Sequence, residues 1–404
     1  MHEPMNSRAR ILDAGDPLAG FRDRFIVPEG VIYLDGNSLG CLPKATPARM
    51  EQVVREEWGE GLIRSWNTAH WIDWPLRIGG KIAPLIGASP HEVIACDSTS
   101  VNLFKLIAAA LEMRPGRKTV LSEPGNFPTD LYMIEGLEKQ GLAKRRLAPR
   151  EQLACALDED VALLLLTHAH YKTGEVFDMA AMTRSAHEAG ALVLWDLSHS
   201  GGALPVDLGG CGADFAVGCG YKYFNGGPGA PAYAFVAERH LQSARQPLTG
   251  WFGHAAPFAF SDDYEPAPGI DRLQCGTPPI LGLAALEVGV DLIGEIGVER
   301  LHAKSQALSE FIRQCLAERG VTLDLEYLLP IVIHPHHYYS QSSLNIPSCS
   351  SLQLELEEVK NQIVELQQRA RKEVGRLHDE LRRSQVETQV AMSQLERIKV
   401  ESRE

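Results

Sequence analysis

The runs ALLLLTHA (162–169) and ALVLWDLSH (191–199) decide the fold. Each is apolar at successive positions, without alternation, until polar residues close it. That pattern belongs to a strand covered on both faces, as in a parallel sheet; a strand with one wet face alternates instead. Outward from this pair, EVIAC (92–96), TVLSE (119–123) and FAVGC (215–219) have the same character. Between them, VNLFKLIAAALEM (101–113) and DMAAMTRSAHEAG (178–190) carry helical patterns. Strand and helix in repetition predict an α/β fold with a doubly wound, mainly parallel sheet. Ligands of such sheets lie beyond the carboxyl ends of the strands, so chemistry is sought just after each strand.

In CGYKYFNGGPG (219–229), Lys222 lies between two tyrosines and precedes a nearly bare backbone. A lysine amine can form a Schiff base with a carbonyl cofactor, and pyridoxal phosphate also requires an acidic partner for its ring nitrogen. Asp196 closes a very apolar strand, where a carboxylate is costly unless it meets a cation. A protonated pyridine nitrogen is one such cation, and a turn or cap role is the alternative. The lysine one strand further on weighs toward the cofactor. His199 is placed to reach the ring hydroxyl, or is structural. Thr99 and Ser100 open a helix whose free N–H groups can hold a phosphate, although simple capping uses the same residues. In GNFPTD (125–130), Phe127 can stack on a planar ring and Thr129 and Asp130 can position it; Thr167 closes another strand. The NGGPG run lets backbone pass close to a cofactor or a partner subunit.

A net charge of −13 argues against a nucleic-acid binder. No run approaches the ~20 apolar residues of a membrane span, and MHEPMNSRARILDAGDP does not read as a secretory signal. The eight cysteines form no CxxC pair and read as reduced thiols of a cytoplasmic protein. HPHHYY (334–339) holds three histidines but reads as a loop rather than a metal site, and no metal is expected. Residues 351–404 change character: 21 of 54 are charged, and Leu352, Leu356, Val359, Ile363, Leu366 and Ala370 follow steps of 4 and 3. That seam predicts a coiled-coil helix with a partner. The expected organisation is an N-terminal segment (1–30), a cofactor-binding large domain (31–322), a linker (323–350) and the coiled coil (351–404).

DGNSLG (35–40), GLIRSWN (61–67), TSVNLFK (99–105), NFPTDLY (126–132), THAHYKTG (167–174), WDLSHSGGALPVDL (195–208), CGYKYFNGGPG, GWFGH (250–254) and CGTPPI (275–280) together resemble bacterial kynureninase in order and spacing. The resemblance implies a fold-type-I pyridoxal-phosphate enzyme of tryptophan catabolism that hydrolyses L-kynurenine, or its 3-hydroxy form, to anthranilate or its analogue and L-alanine. Lys222 would bond covalently to the cofactor and later shuttle a proton. Asp196 would pair with the pyridine nitrogen. His199 and Thr167 would contact the ring, Phe127 would stack on it, and Pro128, Thr129 and Asp130 would complete that segment. Thr99, Ser100 and Tyr221 would serve the phosphate, with Tyr221 also an acid. Trp251 and Thr277 would reach the phosphate of the other subunit, which implies a homodimer. Asn37, Ser38 and Trp66 would line the substrate side.

The resemblance stops near residue 320. The family's small C-terminal domain, with an arginine that grips the substrate carboxylate in a stretch like R-x-G-F-x-P-L-Y, has no counterpart there. The arginines of the tail lie on a highly charged helix and read as a solvated face. Two alternatives accompany this reading. One is another pyridoxal-phosphate enzyme such as a cysteine desulfurase or aminotransferase, against which GWFGH and RSWN argue. The other is an inactive scaffold assembling through its coiled coil.

Overall fold

The structure is a computed structural model and describes residues 5–318. The expected linker, the HPHHYY histidines and the coiled coil lie outside the described residues. The strands are β1 (Phe25–Ile26), β2 (Leu42–Pro43), β3 (Val93–Ala95), β4 (Thr119–Ser122), β5 (Lys144–Leu147), β6 (Val161–Thr167), β7 (Leu192–Asp196), β8 (Phe215–Gly218) and β9 (Tyr233–Val236). β1 and β2 pair as a small antiparallel ribbon. The other seven form one sheet in the order β3-β9-β8-β7-β6-β4-β5.

β5, β4, β6, β7 and β8 are mutually parallel. Burial explains the unbroken apolar runs. Leu164, Leu166, Val193, Trp195 and Ala216 enter one apolar cluster, while Leu163, Leu165, Leu192, Leu194, Phe215 and Val217 enter a second. Alternate side chains point to opposite faces of a strand, and here both faces are dry. Helices Thr99–Glu112 and Pro128–Lys139 cover the second face through Leu103, Leu106, Ile107, Ile134 and Leu137. Helices Trp74–Ile82 and Ile280–Ile296 cover the first through Ile78, Ile82, Leu283, Leu286, Val290 and Ile293.

Two strands, β5 and β9, are not anticipated from the sequence, and two pairings of the sheet run antiparallel. EVIAC does form β3, but its neighbour β9 is antiparallel to it and to β8, so this end of the sheet is mixed. A strand buried on both faces has the same composition whichever way its neighbour runs, so direction is invisible in its sequence. β5, with sequence KRRL, is an edge strand; Lys144 is exposed, while Arg145 and Arg146 are half-buried against Glu135 and Asp158, and this charged edge is a poor template for pairing with another chain.

Helix starts follow local chemistry. The Ser98 hydroxyl accepts from Val101 N at 3.3 Å, and Asp178 accepts from Ala181 N at 2.9 Å. Pro128 occupies the first turn of its helix, where its missing N–H is no loss. The N-terminal helix Met5–Ala14 is tied to helix Val298–Glu318 by the ion pair Arg8–Glu318 at 2.7 Å, and Asp16 pairs with Lys304 at 2.7 Å. No helix among the described residues is long and apolar enough to cross a membrane, and no three metal-ligating side chains converge among them.

Candidate active site

Strand register builds the site. Across the sheet, Thr167 lies opposite Asp196, Asp196 opposite Val217, Gly218 opposite Tyr233, and Tyr233 opposite Ala95. These pairs form a row at the carboxyl edge of the parallel strands. Asp196 and Thr167 end their strands in that row, and Lys222 and Thr99 follow within four residues of it.

Lys222 is 7% exposed, and its Nζ lies 2.7 Å from His199 Nε2. Burial, reinforced by the Lys222 charge, lowers the His199 pKa to about 3. The imidazole is therefore neutral, and a hydrogen bond to the lysine amine needs no second cation. Nζ sits 5.5 Å from the centre of the Phe127 ring and 5.8 Å from that of Tyr221. Burial raises the pKa of Tyr221, so it remains a phenol able to donate.

Asp196 and Asp130 form a buried carboxyl pair, 2% and 0% exposed. Burial and then the Asp196 charge push Asp130 well above the carboxylate range, outweighing its bonds to Thr167 and Asn126. Asp196 is also raised by burial, but the Ser198 bonds, Lys222 and a hydrogen bond from Asp130 oppose this. Two adjacent carboxyls in a dry site cannot both ionise. Asp130 keeps the proton and Asp196 the charge. Asp196 Oδ1 accepts the Ser198 amide at 2.7 Å.

Thr167 is a bridge within this layer: its Oγ1 lies 2.5 Å from Asn126 Oδ1 and 3.1 Å from Asp130 Oδ2. Asn126 also accepts from Phe127 N at 2.7 Å and donates to Ser122 Oγ at 3.1 Å, and Ser122 donates to Leu165 O at 2.7 Å. The start of the Phe127 segment is thus locked to the sheet.

Sequence reasoning assigned no role to Asn126, His170, Tyr171 or Gly40. His170 Nδ1 accepts from Lys172 N, Thr173 N and Thr173 Oγ1, so its Nε2 carries the proton and donates to Gly125 O at 3.1 Å. This fixes the turn bearing Tyr171, whose ring packs edge-on against Phe127 at 5.2 Å. Gly40 ends DGNSLG. Its amide donates to Tyr221 O at 2.9 Å, and a Cβ there would lie 2.2 Å from Lys222 O. The loop holding Asn37 and Ser38 therefore rests directly on the lysine's backbone, a contact whose only trace in the sequence is the glycine itself.

Of the other expected residues, Thr99 and Ser100 are the first two of a 14-residue helix, so their amides have no carbonyl partner within it. Pro128 and Thr129 lie half-buried in the first turn after Phe127. Trp66 packs on Phe252 at 5.4 Å. Trp251, 44% exposed, packs on Phe258 and Phe260, and Thr277 is exposed. The aromatic neighbours of Trp251 are Phe252, Phe258 and Phe260 rather than Phe127 or Tyr221.

The chemistry of these residues fits pyridoxal phosphate. A buried amine suits its aldehyde, and a buried carboxylate held ionised by a protonated neighbour suits its pyridinium nitrogen. An aromatic face and a helix N-terminus with open donors suit its ring and phosphate.

Residues 32–326 match the aminotransferase class-V family. The chain is 47% identical over 346 residues to a kynureninase of Burkholderia mallei (strain SAVP1), covering 84% of this chain and 83% of that one. It is 48% identical over 326 residues to a kynureninase of Pseudomonas fluorescens, covering 79% and 78%. Among solved structures, the cystine C–S lyase C-DES, with glycine covalently linked to its pyridoxal phosphate, superimposes with a TM-score of 0.65 at 18% identity over 74% of this chain and 80% of that one. A cysteine desulfurase from Thermococcus onnurineus NA1 gives 0.62 at 20% identity over 82% and 81%. The structural likenesses carry the fold and the sequence likenesses the lineage: the chain belongs to the kynureninase family, within the class-V aminotransferase fold.

Proposed function

We infer that the chain hydrolyses L-kynurenine to anthranilate and L-alanine with pyridoxal 5'-phosphate. The carrying observation is the buried Lys222 amine beside neutral His199, on the same sheet edge as the Asp130–Asp196 pair, in a chain of this lineage. When bound, the cofactor supplies an aldehyde for amines and an electron-withdrawing ring for charge developing on the substrate's α carbon.

The protein's own residues do the rest. Asp196 would pair with the ring nitrogen and hold it protonated, and the proton on Asp130 would keep Asp196 ionised. Lys222 would be the residue that holds the cofactor covalently, and its amine, hydrogen-bonded to His199, would serve as the base that moves a proton at the substrate's α carbon. His199 hydrogen-bonds its amine, and Phe127 covers the ring face, buttressed by Tyr171. Thr99, Ser100 and Tyr221 hold the phosphate; the Tyr221 phenol keeps its proton and can deliver it as a general acid. One water would be consumed: its OH would go to the γ carbon, the bond between the β and γ carbons would break with its electron pair going to the β carbon, and the β carbon would take a proton, giving anthranilate and L-alanine. Asn37, Ser38 and Trp66 line the substrate side.

Trp251 and Thr277 complete the phosphate site of a second copy, which accounts for their exposure and makes the working unit a homodimer. The exposed Phe258 (54%) and Phe260 (76%) beside Trp251 are the kind of apolar surface such an interface covers. The activity belongs to cytoplasmic tryptophan breakdown, the kynurenine pathway toward NAD, with 3-hydroxykynurenine a second substrate. The 351–404 segment recruits a coiled-coil partner.

The test mixes protein, pyridoxal phosphate and L-kynurenine and follows anthranilate by fluorescence. Anthranilate should form with the parent and not with Lys222→Ala. Borohydride treatment of the loaded parent should leave a pyridoxyl group on the Lys222 peptide alone. Sulfur release from cysteine without anthranilate would replace this function with desulfuration.

A further inference from the structure

Lys105 has no part in that chemistry, yet it is fully buried. It lies in the helix that Thr99 opens. Its Nζ donates to Asp97 Oδ2 at 2.5 Å and to Leu273 O at 2.5 Å, and lies 3.3 Å from Asn102 Oδ1. An ammonium has three protons to give, and these three acceptors come from two separate stretches of chain.

The first stretch launches Thr99 and Ser100. Asp97 is held at φ 50°, a left-handed conformation that an aspartate keeps only where its surroundings fix it. Asp97 O accepts from Ala232 N and Cys96 N donates to Ala232 O, both at 2.9 Å, while Asn102 Nδ2 donates to Cys96 O at 2.8 Å. Lys105 closes this turn from below.

The second stretch runs from Leu273 to Thr277. Lys105 holds its first carbonyl. Gly250 packs so tightly on Cys275 that an added Cβ would fall 1.3 Å from the Cys275 carbonyl oxygen. The stretch that carries Thr277 thus also seats the loop that carries Trp251. One buried cation therefore joins a subunit's own phosphate-binding turn to the two loops it offers to another subunit.

We propose that Lys105 is a positioning residue for the cofactor phosphate, aligning the Thr99–Ser100 turn with the Trp251 and Thr277 loops so that the phosphate sites of both subunits form together. This rests on the phosphate roles given above to Thr99, Ser100, Trp251 and Thr277. Without the ammonium, the Asp97 carboxylate and the Leu273 carbonyl lose their donor, and the two stretches are no longer held in one geometry. The reacting centre at Lys222 and Asp196 is not part of this junction.

The test titrates the full-length apo protein with two probes: pyridoxal 5'-phosphate, and pyridoxal, which lacks the phosphate. Lys105→Met should weaken binding of the phosphorylated probe about tenfold, the worth of a hydrogen bond to a charged group, while pyridoxal binds as to the parent. Asp97→Asn/Lys105→Met, which removes both charges, should show the same selective loss and serves if the single variant folds poorly. Thr277→Ala is the reference for the underlying assignment. If Thr277→Ala binds both probes like the parent, the phosphate roles fall and this inference with them. If Thr277→Ala loses only the phosphorylated probe while the Lys105 variants lose neither, or lose both alike, the roles stand and Lys105 is merely structural.

Discussion

Substituting Gly40 by alanine tests the central claim that the DGNSLG loop fixes the reactive lysine. A Cβ at this position would lie 2.2 Å from Lys222 O, 2.5 Å from Asn225 Oδ1 and 2.9 Å from Asn225 Cα. Ordinary contact is about 3.5 Å, so the Lys222 carbonyl and the loop must separate by about 1.3 Å. None of the three atoms belongs to a long flexible side chain that could swing away. The Gly40 N–Tyr221 O hydrogen bond, 2.9 Å in the parent, opposes the separation, so the displacement passes into the lysine's backbone. A misplacement of ~1 Å at a reacting group costs on the order of 100-fold in rate. Overpacking of this kind costs about 1–3 kcal/mol in stability, a drop of only several degrees in Tm for a domain of this size. The expected result is a folded Gly40→Ala protein whose kcat for anthranilate release falls about 100-fold. Thermal unfolding followed by circular dichroism supplies the control. An unchanged kcat with pyridoxal phosphate bound would show that the loop does not determine where Lys222 sits, and would remove Gly40 from the site.

Substitutions at two further positions probe the titrating groups. Because Asp130 is held protonated, Asp130→Asn keeps a neutral donor toward Asp196 and should retain cofactor binding and turnover. Asp130→Ala strands Asp196 and should cost about 1–3 kcal/mol in cofactor affinity; equal damage from both would mean that Asp130 works as an anion. Since the folded pKa of Asp130 lies above its unfolded value, its contribution to stability is lost as pH rises through the folded value. Asp130→Asn should flatten that decline in urea midpoints. His168 runs the other way: burial lowers its pKa from 6.5 to about 4. Its contribution is whole above 6.5 and is lost as pH falls toward 4, by about 3 kcal/mol. Urea unfolding of His168→Asn across that window should show a shallower loss than the parent, and an identical slope would mean that His168 is not held neutral.

Much of the fold and of the candidate site was legible in the residues. ALLLL, ALVLW and FAV could be assigned to the sheet interior because a strand dry on both faces must be apolar at every position. Lys222 and Asp196 stood out because ionisable groups at the ends of such strands are costly without a partner. What remained hidden depends on distance through space. The KRRL and YAFV strands belong to the sheet because their backbones find partners there, and hydrogen-bond pairing leaves little mark on side-chain composition. Asp130 is an ordinary helix first-turn aspartate until folding sets that helix's first turn against Asp196, 66 residues away in the chain, and makes it an acid that keeps its proton. Lys105 is one lysine on a helix until folding carries Leu273 O to 2.5 Å from it. Local sequence determined which groups were present and which strand ends carried them; only the tertiary structure decided which of them share a proton, a contact or a buried charge, because those energies depend on separation and desolvation rather than on order along the chain.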